Sequence, residues 1–263
     1  MVVCLVGTAH PRLSSAQQSS RPFEPEIGQP GKDVVWVPTP PALVEKLLDM
    51  AQVSPTDFVM DLGSGDGRNV IAAAKRGARA LGVEFNPDMV GLSERLARDA
   101  GVGDRAQFFK GDMFAADISK ATVMALFLLP SNMLQLRSKF FALAPGSRIV
   151  SNTFRIEGWT PDKTETIGGD CTAWCEAILW IVPAKVEGRW KGLAGDLTIK
   201  PDFQMVSGTL TVEGQALQAQ GKLNGREITL TAGTREYTGR ASDTEIELTT
   251  AGASAPLRFT RSQ

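Results

Sequence analysis

Apolar positions between residues 42 and 183 switch repeatedly between a helical and a strand period. Ala42-Leu-Val-Glu-Lys-Leu-Leu-Asp-Met50 carries its apolar residues at helical spacing, behind an opening Pro40-Pro41. Phe58-Val-Met-Asp-Leu62 is a short strand, apolar on both faces as a strand inside a parallel sheet has to be. Asn69–Lys75 returns to helical spacing. Ala80–Glu84 is a second strand, and a helix follows from Met89 to about Asp99, with Pro87 and Asp88 suited to its first turn. Strands over Arg105–Lys110, Thr122–Leu129 and Arg148–Phe154 follow, the last two separated by a helix from Leu134 to Leu143 that Pro145-Gly146 ends. This alternation predicts an α/β fold: a Rossmann-like, doubly wound, mostly parallel sheet. Asp162–Asp170 reads as a polar loop. Glu176–Pro183 reads as a late antiparallel strand, with the usual last helix shortened or absent.

The pattern changes near residue 187. Gly188-Arg-Trp190 opens a stretch of short alternating strands, over 196–200, 205–212, 219–223, 227–231, 235–239, 245–248 and 257–260. Turn signals such as Asn224-Gly225 separate them. An antiparallel β domain is expected over 187–263, as a small barrel or a curled meander. Residues 1–32 are rich in Ser, Gln, Pro and Gly behind a brief apolar start, and read as a flexible tail or a clipped signal segment. The α/β domain then occupies 33–186.

Composition narrows the chemistry. The chain has 263 residues and a formal net charge of −1, with no Lys/Arg run dense enough for a nucleic-acid footprint. Nucleic acid is therefore disfavoured as a partner. No apolar run is long enough to span a bilayer. The single histidine, His10, sits in the tail, which disfavours a Ser/His triad, a His-based metal site and a His general base. Cys4, Cys171 and Cys175 make no disulfide framework; the last two read as reduced thiols ahead of a bridged pair, and no metal is expected.

The informative stretch is Asp57–Arg68. A strand, a turn with Gly63, Gly65 and Gly67, and a helix bring backbone N–H groups and a positive helix end to one point. The spacing is G-x-G-x-G rather than the dinucleotide G-x-G-x-x-G. Asp61 precedes the turn and Asp66 lies inside it. Two carboxylates repel a pyrophosphate but suit a ligand that carries an ammonium and a sulfonium. The next strand ends in Glu84, 17 residues after Gly67, where a carboxylate can accept hydrogen bonds from both hydroxyls of a ribose. Together these features describe an S-adenosyl-L-methionine site.

The glycine turn and the acid strand resemble the first motifs of class I, seven-stranded methyltransferases. Val37-Pro-Thr-Pro40, Asp61–Arg68 and Phe127-Leu-Leu-Pro130 are further similar to the ATP-synthase c-subunit lysine methyltransferase-like group. Phe154 followed by Trp159-Thr-Pro161 also resembles that group. The resemblance covers about Asp33 to Pro183 and makes 33–186 a methyltransferase domain. It implies that Val37, Pro38 and Thr39 cover the methionine end of the cofactor. Asp61, Gly63, Ser64, Gly65 and Gly67 would surround it, and Glu84, Phe85 and Asn86 would take the ribose. Asp112 and Met113 would hold adenine, and Leu128 would close the site. The group's membrane-anchoring segment is not evident here, and the β domain is extra.

Methyltransferases that act on nucleobase amines or glutamine amides carry [D/N/S]-P-P-[Y/F/W] after the fourth strand. This chain has Leu128-Leu-Pro-Ser131, with neither acid, amide nor aromatic ring. The acceptor expected is an aliphatic amine such as a protein lysine, with Leu129, Pro130, Asn132, Asn152 and Trp159 as candidate contacts and no assigned catalytic base. Alternatives are a small-molecule O- or N-methyltransferase, or a non-catalytic binding protein that uses the β domain. The partner is thus a protein or a small-molecule acceptor. The compartment expected is the cytoplasm, with export as the alternative if residues 1–16 are a clipped leader.

Overall fold

The computed structural model describes residues 23–169 and 171–262. The leader reading of residues 1–16 falls outside them.

Seven strands form one sheet: β1 (Phe58–Leu62), β2 (Arg79–Glu84), β3 (Ala106–Lys110), β4 (Val123–Leu126), β5 (Arg148–Asn152), β6 (Lys163–Thr166) and β7 (Glu176–Ile181). Their order is β3-β2-β1-β4-β5-β7-β6. β7 runs antiparallel to both its neighbours, β5 and β6, and every other pairing is parallel. This is the expected Rossmann-like sheet. Four helices accompany it: α1 (Pro41–Met50), α2 (Arg68–Lys75), α3 (Pro87–Asp99) and α4 (Pro130–Phe141).

The central strands β1, β4, β5 and β7 are buried along nearly their whole length because both faces are covered. Val59, Val123, Ala125, Val150, Ala177 and Leu179 point into a core shared with α1, α2 and α3. Their alternates Met60, Met124, Leu126, Ile149, Ile178 and Trp180 point into a core shared with α4. At the foot of the sheet Asp57 is buried and ion-paired to Arg148, and it accepts a 2.7 Å bond from the Thr122 hydroxyl.

Two expectations are corrected. The polar loop at 162–170 contains an edge strand, β6, whose exposed Lys163-Thr-Glu-Thr166 has no apolar face to signal it. The fourth strand ends at Leu126, and Pro130 is already the first residue of α4, with Leu129 as its N-cap. No helix joins β5 to β6, in line with the missing last helix.

Eight further strands follow: β8 (Gly188–Gly192), β9 (Gly195–Asp202), β10 (Met205–Val212), β11 (Gln215–Asn224), β12 (Glu227–Ala232), β13 (Arg235–Ala241), β14 (Glu245–Thr249) and β15 (Leu257–Arg261). They form a closed antiparallel barrel in which β15 pairs with β8. Trp190, Leu210, Leu223, Leu230, Tyr237, Leu248 and Phe259 fill the interior. At Gly221 and Gly239 an added Cβ would fall 1.9 and 1.7 Å from a carbonyl oxygen of the next strand, so the wall bends where only glycine fits.

The barrel meets the sheet through an aromatic seam. Phe203, in the β9–β10 turn, stacks on Trp159 with ring centroids 5.0 Å apart and meets Phe141 edge-on. Buried Gln204 accepts a 2.9 Å bond from the Trp159 indole and donates a 2.6 Å bond to the Thr160 carbonyl. Lys222 pairs with Asp162 at 2.8 Å.

Candidate active site

The carboxyl edge of a doubly wound sheet is where ligands bind, because the strand order reverses there and leaves a crevice. Here β1 lies between β2 and β4, and the turn 63–67 leaves β1 at that reversal. Gly63, Gly65 and Gly67 have φ of 68°, 56° and 79°, a region that L side chains rarely adopt.

The turn's own N–H groups are largely committed. Gly63 and Ser64 donate to the Val83 carbonyl, and Gly67 donates to the Ser64 carbonyl. Gly65 N–H donates to Glu84 Oε2 at 3.0 Å, and Arg68 N–H at the start of α2 donates to Asp66. The turn therefore presents carboxylates rather than the bare anion cradle that the glycine spacing alone implied.

Asp61 is 3 % exposed. Its one side-chain donor is the Asn69 amide, at 3.0 Å. Burial pushes its carboxyl well above the usual carboxylate range; Asn69 opposes this, while Glu84 and Asp66 add repulsion. Asp66 is occupied by a fork from Arg68, which also donates to the Thr39 carbonyl at 2.6 Å and so ties Val37-Pro-Thr39 to the turn. Glu84 is held by N–H groups of Gly65 and Asn86, leaving lone pairs facing the cleft. A buried acid with no cation against it among the described residues, beside an anchored second acid, fits a ligand that brings its own positive charge and a diol. Ser64 Oγ is buried without a partner at the same turn. The donor set thus fits S-adenosyl-L-methionine.

One cleft gathers most of the predicted residues. Val37, Pro38, Thr39, Asp61, Gly63, Ser64, Gly65, Glu84, Phe85, Asn86, Met113, Leu128 and Leu129 all line it. Gly67 lies behind, where a Cβ would strike the Phe108 ring at 2.6 Å. Asp112 stands at the rim, paired to Lys32 at 2.6 Å; that ammonium holds its carboxyl below the ordinary range. Asn152 is fully buried beneath Thr39, to whose hydroxyl it donates at 3.3 Å. Asn132 is buried under the Asp33 carbonyl, and Pro130 sits exposed on α4. Trp159 lies away from the cleft, in the barrel seam.

The cleft also contains residues to which the sequence assigned no role at the site. Gln29–Trp36 form a strap closed by Gly28 N–H to the Trp36 carbonyl at 2.8 Å and Trp36 N–H to the Gln29 carbonyl at 3.0 Å. The biased composition up to residue 32 hid the first half of this segment, and Trp36 is its one aromatic residue. Phe127, Phe154 and Trp174 line the opposite end. Cys171 and Cys175 are joined by a disulfide, against the reduced reading, and Trp174 lies inside the loop that they close.

A seven-stranded sheet of this order, with a glycine turn and two acids at its carboxyl edge, defines a class I methyltransferase. Comparison with known proteins narrows the class. A family described as the ANTKMT methyltransferase domain matches residues 61–163. A protein-lysine N-methyltransferase of Saccharolobus islandicus is 44% identical over 133 residues, 49% of this chain and 83% of that protein. A lysine N-methyltransferase of the ATP synthase c-subunit from Rattus norvegicus is 39% identical over 140 residues, 53% of this chain and 64% of that protein. A crystal structure described as an RNA methyltransferase from Salinibacter ruber, in complex with S-adenosyl-L-homocysteine, is 44% identical with a TM-score of 0.53, covering 57% of this chain and 96% of that one. The chain belongs to the family of S-adenosylmethionine-dependent methyltransferases that includes the Saccharolobus enzyme.

Proposed function

We propose that the protein N-methylates an aliphatic amine, a lysine side chain of a protein, with residues 33–186 together with the strap from Gln29 as the catalytic unit. The observation that supports this acceptor is the mouth of the cleft, where Phe127, Leu128, Leu129, Phe154 and Trp174 are all apolar or aromatic. The lysine specificity named for the Saccharolobus and Rattus relatives supports the same reading.

S-adenosyl-L-methionine supplies the activated methyl group. Glu84, Phe85 and Asn86 would hold the ribose, Asp61 and the turn 63–67 the methionine half, and Met113 with Asp112 the adenine. Thr39 stays in register through Arg68 and Asn152. The acceptor must arrive neutral, and lysine starts from a pKa of about 10.4. Leu128 and Leu129 exclude water around it and so favour the neutral form. No side chain need act as base, because the proton can leave to solvent before the amine enters. Alignment of donor and acceptor is the protein's main contribution, and in the best intramolecular cases it is worth about 7–11 kcal/mol.

No helix among the described residues is long and apolar enough to cross a membrane. The cytoplasm is the proposed compartment because the cofactor is made there; the Cys171–Cys175 bridge is the feature that favours an oxidising one.

The test is incubation with radiolabelled S-adenosyl-L-methionine and cell extract. Label in protease-sensitive material that hydrolyses to N-methyllysine is expected. Label that is sensitive to ribonuclease, or that remains in small molecules, overturns the lysine reading.

A further inference from the structure

Three rings at the acceptor end of the cleft share a feature that the chain's other aromatic pairs lack. Phe127 follows β4, Phe154 follows β5, and Trp174 precedes β7. Because β7 is antiparallel to β5, all three positions lie at the same carboxyl edge, on the far side of β1 from Glu84 and Asp112. Phe127 stacks on Phe154 with centroids 5.8 Å apart, and Trp174 meets Phe127 edge-on at 6.0 Å. Trp174 remains 43% exposed, so the cluster is open to solvent rather than part of a core.

Elsewhere five of the described rings carry a cation supplied by the chain. Lys32 lies over Phe85, Arg79 over Phe58, Arg137 over Phe203, Lys185 over Phe141 and Arg261 over Trp190. Among the described residues none covers Phe127, Phe154 or Trp174. The nearby Arg155 is engaged by Glu176 at 2.8 Å. Two non-glycine residues that present these rings, Thr153 and Trp174 itself, have φ of 58° and 53°. For a β-branched or bulky residue that conformation is costly and is tolerated where a site requires it. The Cys171–Cys175 bridge closes the loop that holds Trp174 there.

We infer that Phe127, Phe154 and Trp174 form an aromatic wall for an alkylammonium side chain, with Trp174 held in place by the Cys171–Cys175 link. The inference deepens the amine-acceptor reading and rests on it. Aromatic faces attract a cation, and attract it more strongly once water is stripped away. A lysine ammonium is drawn to the mouth by this wall and loses its proton to solvent there, before the neutral amine moves in against Leu128. The methylated product is a larger, less hydrated cation and is retained better than the unmodified amine. The wall therefore favours repeated methylation of one side chain. Reduction of the bridge releases Trp174 and weakens the wall.

The probe is Nα-acetyl-Nε,Nε,Nε-trimethyllysine methylamide, compared with its neutral isostere in which a tert-butyl carbon replaces the quaternary nitrogen. Binding is followed by NMR titration of the full chain saturated with S-adenosyl-L-homocysteine. The cationic probe is expected to bind about tenfold more tightly than the isostere. Trp174→Ala removes the preference, Trp174→Phe restores part of it, and neither changes the affinity for S-adenosyl-L-homocysteine. Dithiothreitol weakens the probe severalfold in the native chain and has no effect on Cys171→Ser/Cys175→Ser. Equal binding of probe and isostere, or a preference that survives Trp174→Ala, overturns the wall and leaves the methyltransferase assignment intact. Failure to bind S-adenosyl-L-homocysteine would instead strike the cofactor site beneath it.

Discussion

Gly65→Ala tests the seating of the strap on the glycine turn. Gly65 has φ of 56°, so alanine there pays roughly 1–2 kcal/mol for the left-handed backbone alone. The new Cβ would also stand 2.7 Å from Trp36 Nε1 and 2.8 Å from Trp36 Cδ1. Carbon contacts are comfortable near 3.5 Å, so the indole must retreat by about 0.8 Å. It is half-buried and carried on a strap, so it can move outward at a cost of about 1 kcal/mol in lost packing. The two contributions separate in a double-mutant cycle with Trp36→Ala. In the native background Gly65→Ala should cost about 2–3 kcal/mol, and in Trp36→Ala only the backbone part. The coupling of about 1 kcal/mol corresponds to roughly 2–4 °C in melting temperature for a chain of this size. Thermal unfolding of the four proteins without cofactor measures it. Equal costs in the two backgrounds would show that Trp36 does not rest on the turn, and the strap could not then be part of the cleft.

Three further outcomes are expected. The Asp61 carboxyl, raised by burial, should release a proton when a cationic ligand arrives, so cofactor affinity should climb as pH rises through that raised value and level off above it; calorimetry in buffers of different ionisation enthalpy reads the proton, and Asp61→Asn should abolish the slope. Gln204→Ala strands the Trp159 indole N–H and the Thr160 carbonyl at the seam and should cost about 2–4 kcal/mol, splitting the calorimetric melt into two transitions; a single unshifted melt would deny the seam any role. Burial pushes the Asp57 carboxyl up, but Thr122, Ser54 and Arg148 outweigh it and leave it lowered, so its stabilisation is present above about pH 4 and is lost as pH falls through the lowered value; an acid titration of Arg148→Met that retains the full native loss would contradict this.

The sheet was legible because its chemistry is local. Phe58–Leu62 and Val123–Leu126 had to be buried on both faces, and Gly63–Gly67 had to turn. β6 was hidden because an exposed edge strand of Lys, Thr and Glu has no alternation to read. Trp159 was placed with the substrate on the strength of resemblance, yet Phe203 and Gln204, more than forty positions along the chain, draw it into the seam. The strap shows the same limit. Lys32 meets Asp112 across 80 residues, and no periodicity carries a contact of that span. Asp61 was readable as a residue, but its separation from every cation among the described residues was a property of the folded neighbourhood.

The closing pair of the barrel bears on the order in which the chain can fold during synthesis. The sheet is complete in sequence by Ile181, whereas β8 finds its last partner in β15, at Leu257–Arg261. Until that stretch leaves the ribosome, β8 and β14 each present a row of unpaired backbone groups, the condition under which strands add to foreign edges. The catalytic unit can therefore mature while its neighbour is still an open ribbon. Loss of the final strand would leave the cleft intact and turn the barrel into a nucleus for aggregation.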